Sequence, residues 1–237
     1  MKKDKIPKII HYVWVGGSDK SNDIKKCMKT WNKYLKDYEI KEWNENNFDI
    51  YAHPFTREAY KAKKWAFVSD YIRAKVLYEE GGIYLDTDIL LLDNFDKFLK
   101  DDAFLGFENE NYIFTAVIGI KKRHPFMKKI LDYYDNVEFE YHKENEMDYV
   151  NTKIFTDILI NNYELKLNNH NQVLKDNICI YNDKLLCNPS KESISIHIFT
   201  GTWMENKHSF KFKLVKFMKL RLTSSFRANL YNKFISK

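Results

Sequence analysis

Ile83-Tyr84-Leu85-Asp86-Thr87-Asp88-Ile89-Leu90-Leu91-Leu92 sets two carboxylates one residue apart inside an otherwise apolar run, directly after the pair Gly81-Gly82. With 18 aspartates in the chain, roughly one Asp-x-Asp is expected by chance at this composition, so the weight falls on the surroundings. Apolar residues on both sides place the aspartates where the chain leaves a buried strand, and two anions that close need a cation to sit together. Hard oxygen donors favour Mg²⁺ or Mn²⁺, ions that take further ligands from waters and substrate phosphates. The competing reading is a turn with two solvated aspartates.

Working outward, Thr56 to Glu80 follows a helical pattern, as one long helix or two with a break, stopped by the glycine pair. Ile9 to Val15 reads as a buried strand ending in Gly16-Gly17, and Tyr38 to Trp43 as a second. Between them Asn22 is expected to cap a helix in which Ile24, Cys27 or Met28, Trp31 and Leu35 recur at helical spacing. Further strands are expected at 103–107, 113–120, 178–187 and 194–199, and helices at 125–135 and 147–162. The Asn- and Lys-rich stretch 161–177 reads as a surface loop. Strands alternating with helices predict an α/β fold around a mostly parallel sheet.

At 237 residues the chain has room for one sizeable core and little for a second. The formal charge of +6 belongs to one end: residues 210–237 hold eight Lys or Arg and no Asp or Glu, while the remaining 209 residues carry 31 basic and 33 acidic groups. This predicts a catalytic domain over 1–209 and a basic amphipathic helical tail over 210–237. Three cysteines at wide spacings, Cys27, Cys179 and Cys187, fit neither a disulfide framework nor a zinc cluster and read as buried thiols. The apolar stretch after the initial lysines is broken by Pro7, Lys8 and His11, and no segment approaches the roughly 20 apolar residues that span a bilayer, so a cytoplasmic protein is expected.

Three more places carry candidate chemistry. Asp70 and Arg73 stand three apart on a helix that is apolar around most of its circumference, so the pair should be enclosed; a structural ion pair is the plainer account. The stretch from Ile194 to Trp203 delivers His197 from a strand, then a glycine turn and a tryptophan. Imidazole is an acceptable third ligand for Mn²⁺ beside carboxylates, and an indole N–H can donate to phosphate. Trp14, at the end of the first strand, offers a flat ring for a nucleobase or for the core.

Taken together, Ile6 to Gly17 with Trp14, Ser69-Asp70-x-x-Arg73, Gly81 to Asp88 and His197 to Trp203 resemble glycosyltransferase family 32, in that order along roughly residues 5–205. Its sugar-binding core is similar to that of the large clostridial glucosylating toxins. The resemblance implies a GT-A fold, a single Rossmann-like α/β domain with a mostly parallel mixed sheet flanked by helices. It also implies a retaining transfer from a nucleotide sugar with Mn²⁺ or Mg²⁺ held by Asp-x-Asp. Trp14 would stack on the base, and Asn47 would lie beside the nucleotide. Asp70 and Arg73 would hold donor sugar and phosphates, with Ser69 at the nucleotide. Tyr84 and Asp86 would contact ribose and sugar, and Val13 and Thr87 complete the nucleotide-sugar set. Asp88 would ligate the metal directly, Asp86 mainly through water; His197 matches a metal-side histidine and Trp203 a tryptophan near the leaving diphosphate. Asp70, Arg73, Asp86 and Asp88 form the catalytic set. Relatives often have a paired histidine where this chain has His197-Ile198, and an acceptor-side Thr-Gly-Pro is represented only by Asn151-Thr152 through Thr156.

The expected donor is a UDP-sugar before a GDP-sugar, and the acceptor a glycan or lipid-linked glycan in capsule or cell-surface polysaccharide synthesis. No nucleic-acid motif accompanies the basic tail, whose bulky aliphatics fit the surface of an anionic membrane better, at the inner face of the cell membrane. Two other readings compete: a phosphohydrolase with Asp86 as nucleophile, disfavoured by Ile89-Leu90 where a small or hydroxyl residue belongs, and a non-enzymatic membrane-surface module.

Overall fold

The computed structural model describes residues 4–140, 149–200 and 210–235. A seven-stranded sheet has the order β2-β1-β3-β6-β5-β8-β7, formed by β1 (Ile9–Val13), β2 (Glu39–Trp43), β3 (Gly82–Leu85), β5 (Ala103–Phe107), β6 (Ile113–Ile120), β7 (Gln172–Leu174) and β8 (Ile178–Tyr181). Five strands run one way, while β6 and β7 are reversed. The short β4 (Ile89–Leu91) leaves this sheet and pairs antiparallel with β9 (Ser195–His197) as a separate ribbon. The expected strand over 83–92 is therefore two strands in two sheets, and the aspartates are the corner between them.

Apolar layers cover both faces of the sheet. One face packs against α2 (Pro54–Lys61), α3 (Trp65–Glu80), α4 (Pro125–Asp135) and α5 (Asn151–Tyr163), through Phe55, Val68, Ile72, Ile130 and Phe155. The other holds α1 (Asn22–Tyr34) and α6 (Asp183–Leu186), with Trp31, Leu35, Phe104, Phe114 and Leu186. Strand alternation sends Ile83 and Leu85 to the α1 side and Tyr84 to the α3 side. That places Tyr84 against the helix that carries Arg73.

Several boundaries differ from the sequence reading. Ser21, not Asn22, caps α1, accepting from the Ile24 N–H at 3.4 Å. Of the two forms expected over 56–80, the chain takes two helices with a break, where Lys63 has a positive φ of 56°, and the first helix begins earlier, at Pro54. The stretch 178–187 turns from strand into α6 at Asn182, whose side chain caps that turn. Helix α5 starts at Asn151, and the loop at 161–177 contributes the edge strand β7. The residues of the basic end form α7 (Phe210–Lys219) and α8 (Ser225–Ile235). Leu222, Ala228 and Tyr231 pack with Cys27 of α1 and with Leu90, Leu92, Ile196 and Ile198 in and beside the β4–β9 ribbon. Cys27 and Cys187 are buried as expected, but Cys179 is only half-buried; all three are free thiols.

The Asp-x-Asp corner is fixed from behind by Gly82. It has φ +108°, and a Cβ there would stand 2.7 Å from the Ile9 carbonyl oxygen and 3.0 Å from His11 Nε2. His11 is fully buried and held as the neutral Nε2–H tautomer, donating to the Gly81 carbonyl at 2.8 Å while Nδ1 accepts from Trp43 Nε1 at 3.1 Å. Burial lowers its pKa and so keeps it uncharged. Gly82→Ala should cost about 2 kcal/mol, from forbidden backbone space and the clash with Ile9. Urea unfolding checks this; an unchanged midpoint would show that β1 and β3 can part without penalty.

Candidate active site

The C-terminal ends of β1, β2, β3 and β5 lie along one edge of the sheet and deliver Trp14, the 44–47 turn, Asp86 and Glu108. Open α/β sheets bind ligands along that edge. After Leu85 the Asp86 N–H still donates to Ala116 O at 2.9 Å, and the Ile89 N–H closes on Asp86 O at 3.0 Å, so Asp86-Thr87-Asp88 is a tight turn. Two features of α1 hold β4 beyond it. Trp31 Nε1 donates to Ile89 O at 2.7 Å, and Thr30 Oγ1 accepts from the Leu91 N–H at 2.8 Å.

Arg73 is the centre of the first network and only 2% exposed. Its Nη1 donates to Thr115 O at 2.9 Å. Its Nη2 reaches Asp86 Oδ1 at 2.9 Å, the Tyr84 hydroxyl at 3.3 Å and Asp70 Oδ1 at 3.3 Å. The guanidinium also lies 4.2 Å from the Tyr84 ring centroid. Tyr84 donates to the same Asp86 Oδ1 at 3.0 Å. Asp70, 6% exposed, accepts from Asn151 Nδ2 at 2.5 Å, and Asn151 Oδ1 accepts from Thr115 Oγ1 at 3.0 Å. Burial pushes the Asp70 carboxyl up to about 7 despite the pull of Arg73. The two flanking carboxylates more than offset the burial of Arg73, whose pKa is raised.

The second network meets the first at Asp86. One ligand atom each from Asp86, Asp88 and His197 lies within 4.8 Å of the others. His197 Nε2 is 3.1 Å from Asp88 Oδ1, and Asp88 Oδ2 accepts from the Thr200 N–H at 2.9 Å and its hydroxyl at 3.1 Å. Burial alone would raise the Asp88 pKa, but His197 and the Thr200 donors outweigh it and hold the carboxyl down to about 2. Asp86 has Oδ1 committed to Arg73 and Tyr84, while among the described residues Oδ2 receives no hydrogen bond. His197 Nδ1 is buried and, among the described residues, has no hydrogen-bond partner. Two hard carboxylates, an imidazole and an uncommitted oxygen suit Mn²⁺ or Mg²⁺ in chemistry and spacing.

The remaining expected residues are placed unevenly. Trp14 is half-buried at the end of β1, its indole donating to Ser18 O at 2.7 Å and Lys20 Nζ 5.2 Å from its ring. It lines a cleft of about 380 Å³ together with Lys20, Glu42 and Asn44. Val13 is buried in the core. Asn47 is exposed but its amide shapes its own turn, donating to Glu42 O at 2.8 Å and accepting from the Asn44 N–H at 2.9 Å. Ser69 is half-buried and donates back to Ala66 O at 2.6 Å. Thr87 is half-buried at the corner, and Trp203 lies outside the described residues. Sequence reasoning missed Thr115 and Thr200. A lone hydroxyl residue in the apolar run 113–120, and another three residues after His197, were the available signals.

Residues 21–105 match the family described as glycosyltransferase sugar-binding region containing DXD motif. Inositol phosphoceramide mannosyltransferase 3 of Schizosaccharomyces pombe is 29% identical over 145 residues, covering 58% of this chain and 39% of that protein. An uncharacterized glycosyltransferase of Acanthamoeba polyphaga mimivirus is 30% identical over 168 residues, covering 64% of each. The chain thus spans less than two thirds of the length of these curated relatives. Among solved structures, the PaToxG glycosyltransferase superposes with a TM-score of 0.51 at 19% identity, covering 67% of this chain and 69% of that one. The fold is GT-A, and the family resemblance drawn from the motifs is the one these comparisons return.

Asp70 provides a pH signature. An unfolded carboxyl titrates near 3.9, whereas folding lifts this one to about 7. Between those values the unfolded chain has lost the proton that the folded chain keeps, so this group's contribution to stability falls as pH rises. Asp70→Asn should remove that part of the pH dependence, read as urea midpoints at about pH 5 and about pH 8. Identical slopes for parent and variant would contradict the assignment.

Proposed function

Because residues 21–105 carry a glycosyltransferase sugar-binding region of the Asp-x-Asp type, we propose that the protein is a metal-dependent, retaining glycosyltransferase moving a hexose from a nucleotide sugar to a glycan acceptor. The observation that carries this reading is the place of Asp86, which has Oδ1 on buried Arg73 and a carboxylate oxygen within 4.8 Å of ligand atoms of Asp88 and His197. Asp88, Asp86 and His197 would hold Mn²⁺ or Mg²⁺, which when bound supplies a Lewis acid for the diphosphate. Arg73 supplies a fixed positive charge that needs no reorganisation as the leaving group becomes more negative. Trp14 lies at the end of β1 on the same sheet edge, where its ring can take the base. Attack by the acceptor on the face that the diphosphate leaves gives retention.

UDP-sugars are the first donors to test. The fungal relative is named as a mannosyltransferase, which adds GDP-mannose to the panel. With Mn²⁺ and the right donor, purified protein should release nucleoside diphosphate slowly by hydrolysis. Asp88→Asn and His197→Ala should each lower that rate by about 100-fold or more. Failure to bind any nucleotide sugar would overturn the reading, and an inverted product would overturn retention.

We also propose peripheral contact with an anionic membrane. Leu214, Phe217, Phe226 and Leu230 of α7 and α8 are exposed beside exposed Lys213, Arg221, Arg227 and Lys233. Among the described residues no helix is long and apolar enough to cross a bilayer. The protein should co-sediment with phosphatidylserine vesicles at physiological salt, and Phe217→Ala with Phe226→Ala should weaken this about tenfold. No binding by the parent protein would contradict the proposal.

A further inference from the structure

Resting on the transferase reading, the structure also indicates where the acceptor sits. The segment standing in place of the acceptor-side Thr-Gly-Pro is occupied with internal work. The Asn151 amide joins Asp70 to Thr115. Thr156 Oγ1 donates to Thr152 O at 2.6 Å and accepts from the Ile113 N–H at 2.9 Å. Asn151 and Thr156 are both buried. Acceptor hydroxyls need partners elsewhere along the same edge of the sheet.

The β5–β6 hairpin supplies them. Its stem touches both networks, with Phe114 5.3 Å from the His197 ring and Thr115 O bonded to Arg73. Its loop, Glu108 to Tyr112, is held rigid. The Glu108 N–H donates to Tyr112 O at 2.9 Å, Asn109 Oδ1 accepts from the N–H groups of Asn111 and Tyr112, and Asn188 Nδ2 donates to Glu108 O at 3.4 Å. The Glu108 N–H and carbonyl are thus both paired, yet among the described residues its half-buried carboxylate has no hydrogen-bond partner. The charges acting on it are those of His197 and Asp86, and burial raises its pKa. Tyr112 is exposed at 37%. An uncommitted carboxylate beside an exposed aromatic ring, on a fixed loop, suits a polyhydroxylated ring with one apolar face.

We propose that this hairpin is the acceptor subsite, in which Glu108 accepts hydrogen bonds from acceptor hydroxyls and Tyr112 stacks on the acceptor sugar ring. In the transfer an acceptor oxygen forms the new bond to the anomeric carbon. The anomeric C–O bond to the diphosphate breaks with its electron pair going to the phosphate oxygen, which also takes the hydroxyl proton. Glu108 orients the acceptor and keeps its own charge throughout.

The test uses the full chain, Mn²⁺, the donor identified by hydrolysis, and a panel of octyl glycosides carrying mannose, glucose or galactose. Each reaction is scored as the ratio of sugar passed to the glycoside over sugar passed to water, and glycoside binding is followed by ligand-observed NMR. Losing hydrogen bonds to a charged group should lower this ratio about 10- to 150-fold in Glu108→Gln. Tyr112→Ala should chiefly raise the glycoside KM, while calorimetric donor affinity stays at the parent value in both variants. Unchanged ratios would overturn the proposal, as would transfer and hydrolysis falling in step, or no glycoside binding or accepting sugar in a protein that hydrolyses donor. A protein that neither binds nor hydrolyses any nucleotide sugar fails at the earlier step instead, and removes the transferase reading with it.

Discussion

Burying a guanidinium is tolerable only where fixed acceptors meet its donors and nearby anions its charge, and much of this site follows from how Arg73 is met: both Nη groups have acceptors, while among the described residues the buried Nε has none. Thr115 O, the Tyr84 hydroxyl, Asp70 and Asp86 surround it. Those partners come from α3, β3, the turn after β3 and β6, so one side chain ties helix to sheet where the strands end. Removing Asp86 leaves charge uncompensated in a dry place, and such losses run to about 3–5 kcal/mol for buried pairs. The arrangement is expensive to keep for stability alone. It gains its purpose from Asp86, which is oriented by Arg73 through one oxygen and leaves the other for a ligand.

The second half of the site depends on a part of the chain that composition sets apart. His197 sits on β9, pinned against β4, and the ribbon is backed by residues after 217. Lys219 is 7% exposed, and its Nζ donates to the His197 carbonyl at 2.9 Å while lying 4.7 Å from the Phe199 ring. The basic helices therefore have two faces. One supports the strand that carries the histidine, and the other presents aromatic and basic side chains to solvent.

Sheet strands were legible where apolar runs were unbroken: 103–107 and 113–120 read directly, and so did helix 125–135. The Asp70–Arg73 enclosure was legible because a helix apolar on most sides leaves a charged pair nowhere wet to go. The split of 83–92 between two sheets was not legible, since β4 is set by Trp31 and Thr30, some 60 residues away. The strand ends at Tyr181 because Asn182 caps a helical turn, and the polar Asn182-Asp183-Lys184 was the signal for it between the apolar residues on either side. Within the site, motif spacing pointed to carboxylates and histidine but not to the residues that complete their hydrogen bonds. Thr200 on Asp88 and Asn151 on Asp70 are such cases: position gave Thr200 only a weak signal, three residues after His197, and the pairing of the Asn151 amide with Asp70 is set by residues distant in sequence. Asn47 shows the converse, a residue expected at the nucleotide whose amide shapes its own turn.

The central claim is that Asp86 faces both ways, toward Arg73 and toward a cation shared with Asp88 and His197. Anomalous diffraction at the manganese edge, from crystals grown with Mn²⁺ and a nucleoside diphosphate, tests it most directly. The account predicts one peak bounded by Asp86 Oδ2, Asp88 and His197, with Asp86 Oδ1 still on Arg73; a peak elsewhere, or Asp86 turned away from Arg73 to meet the ion, would contradict it.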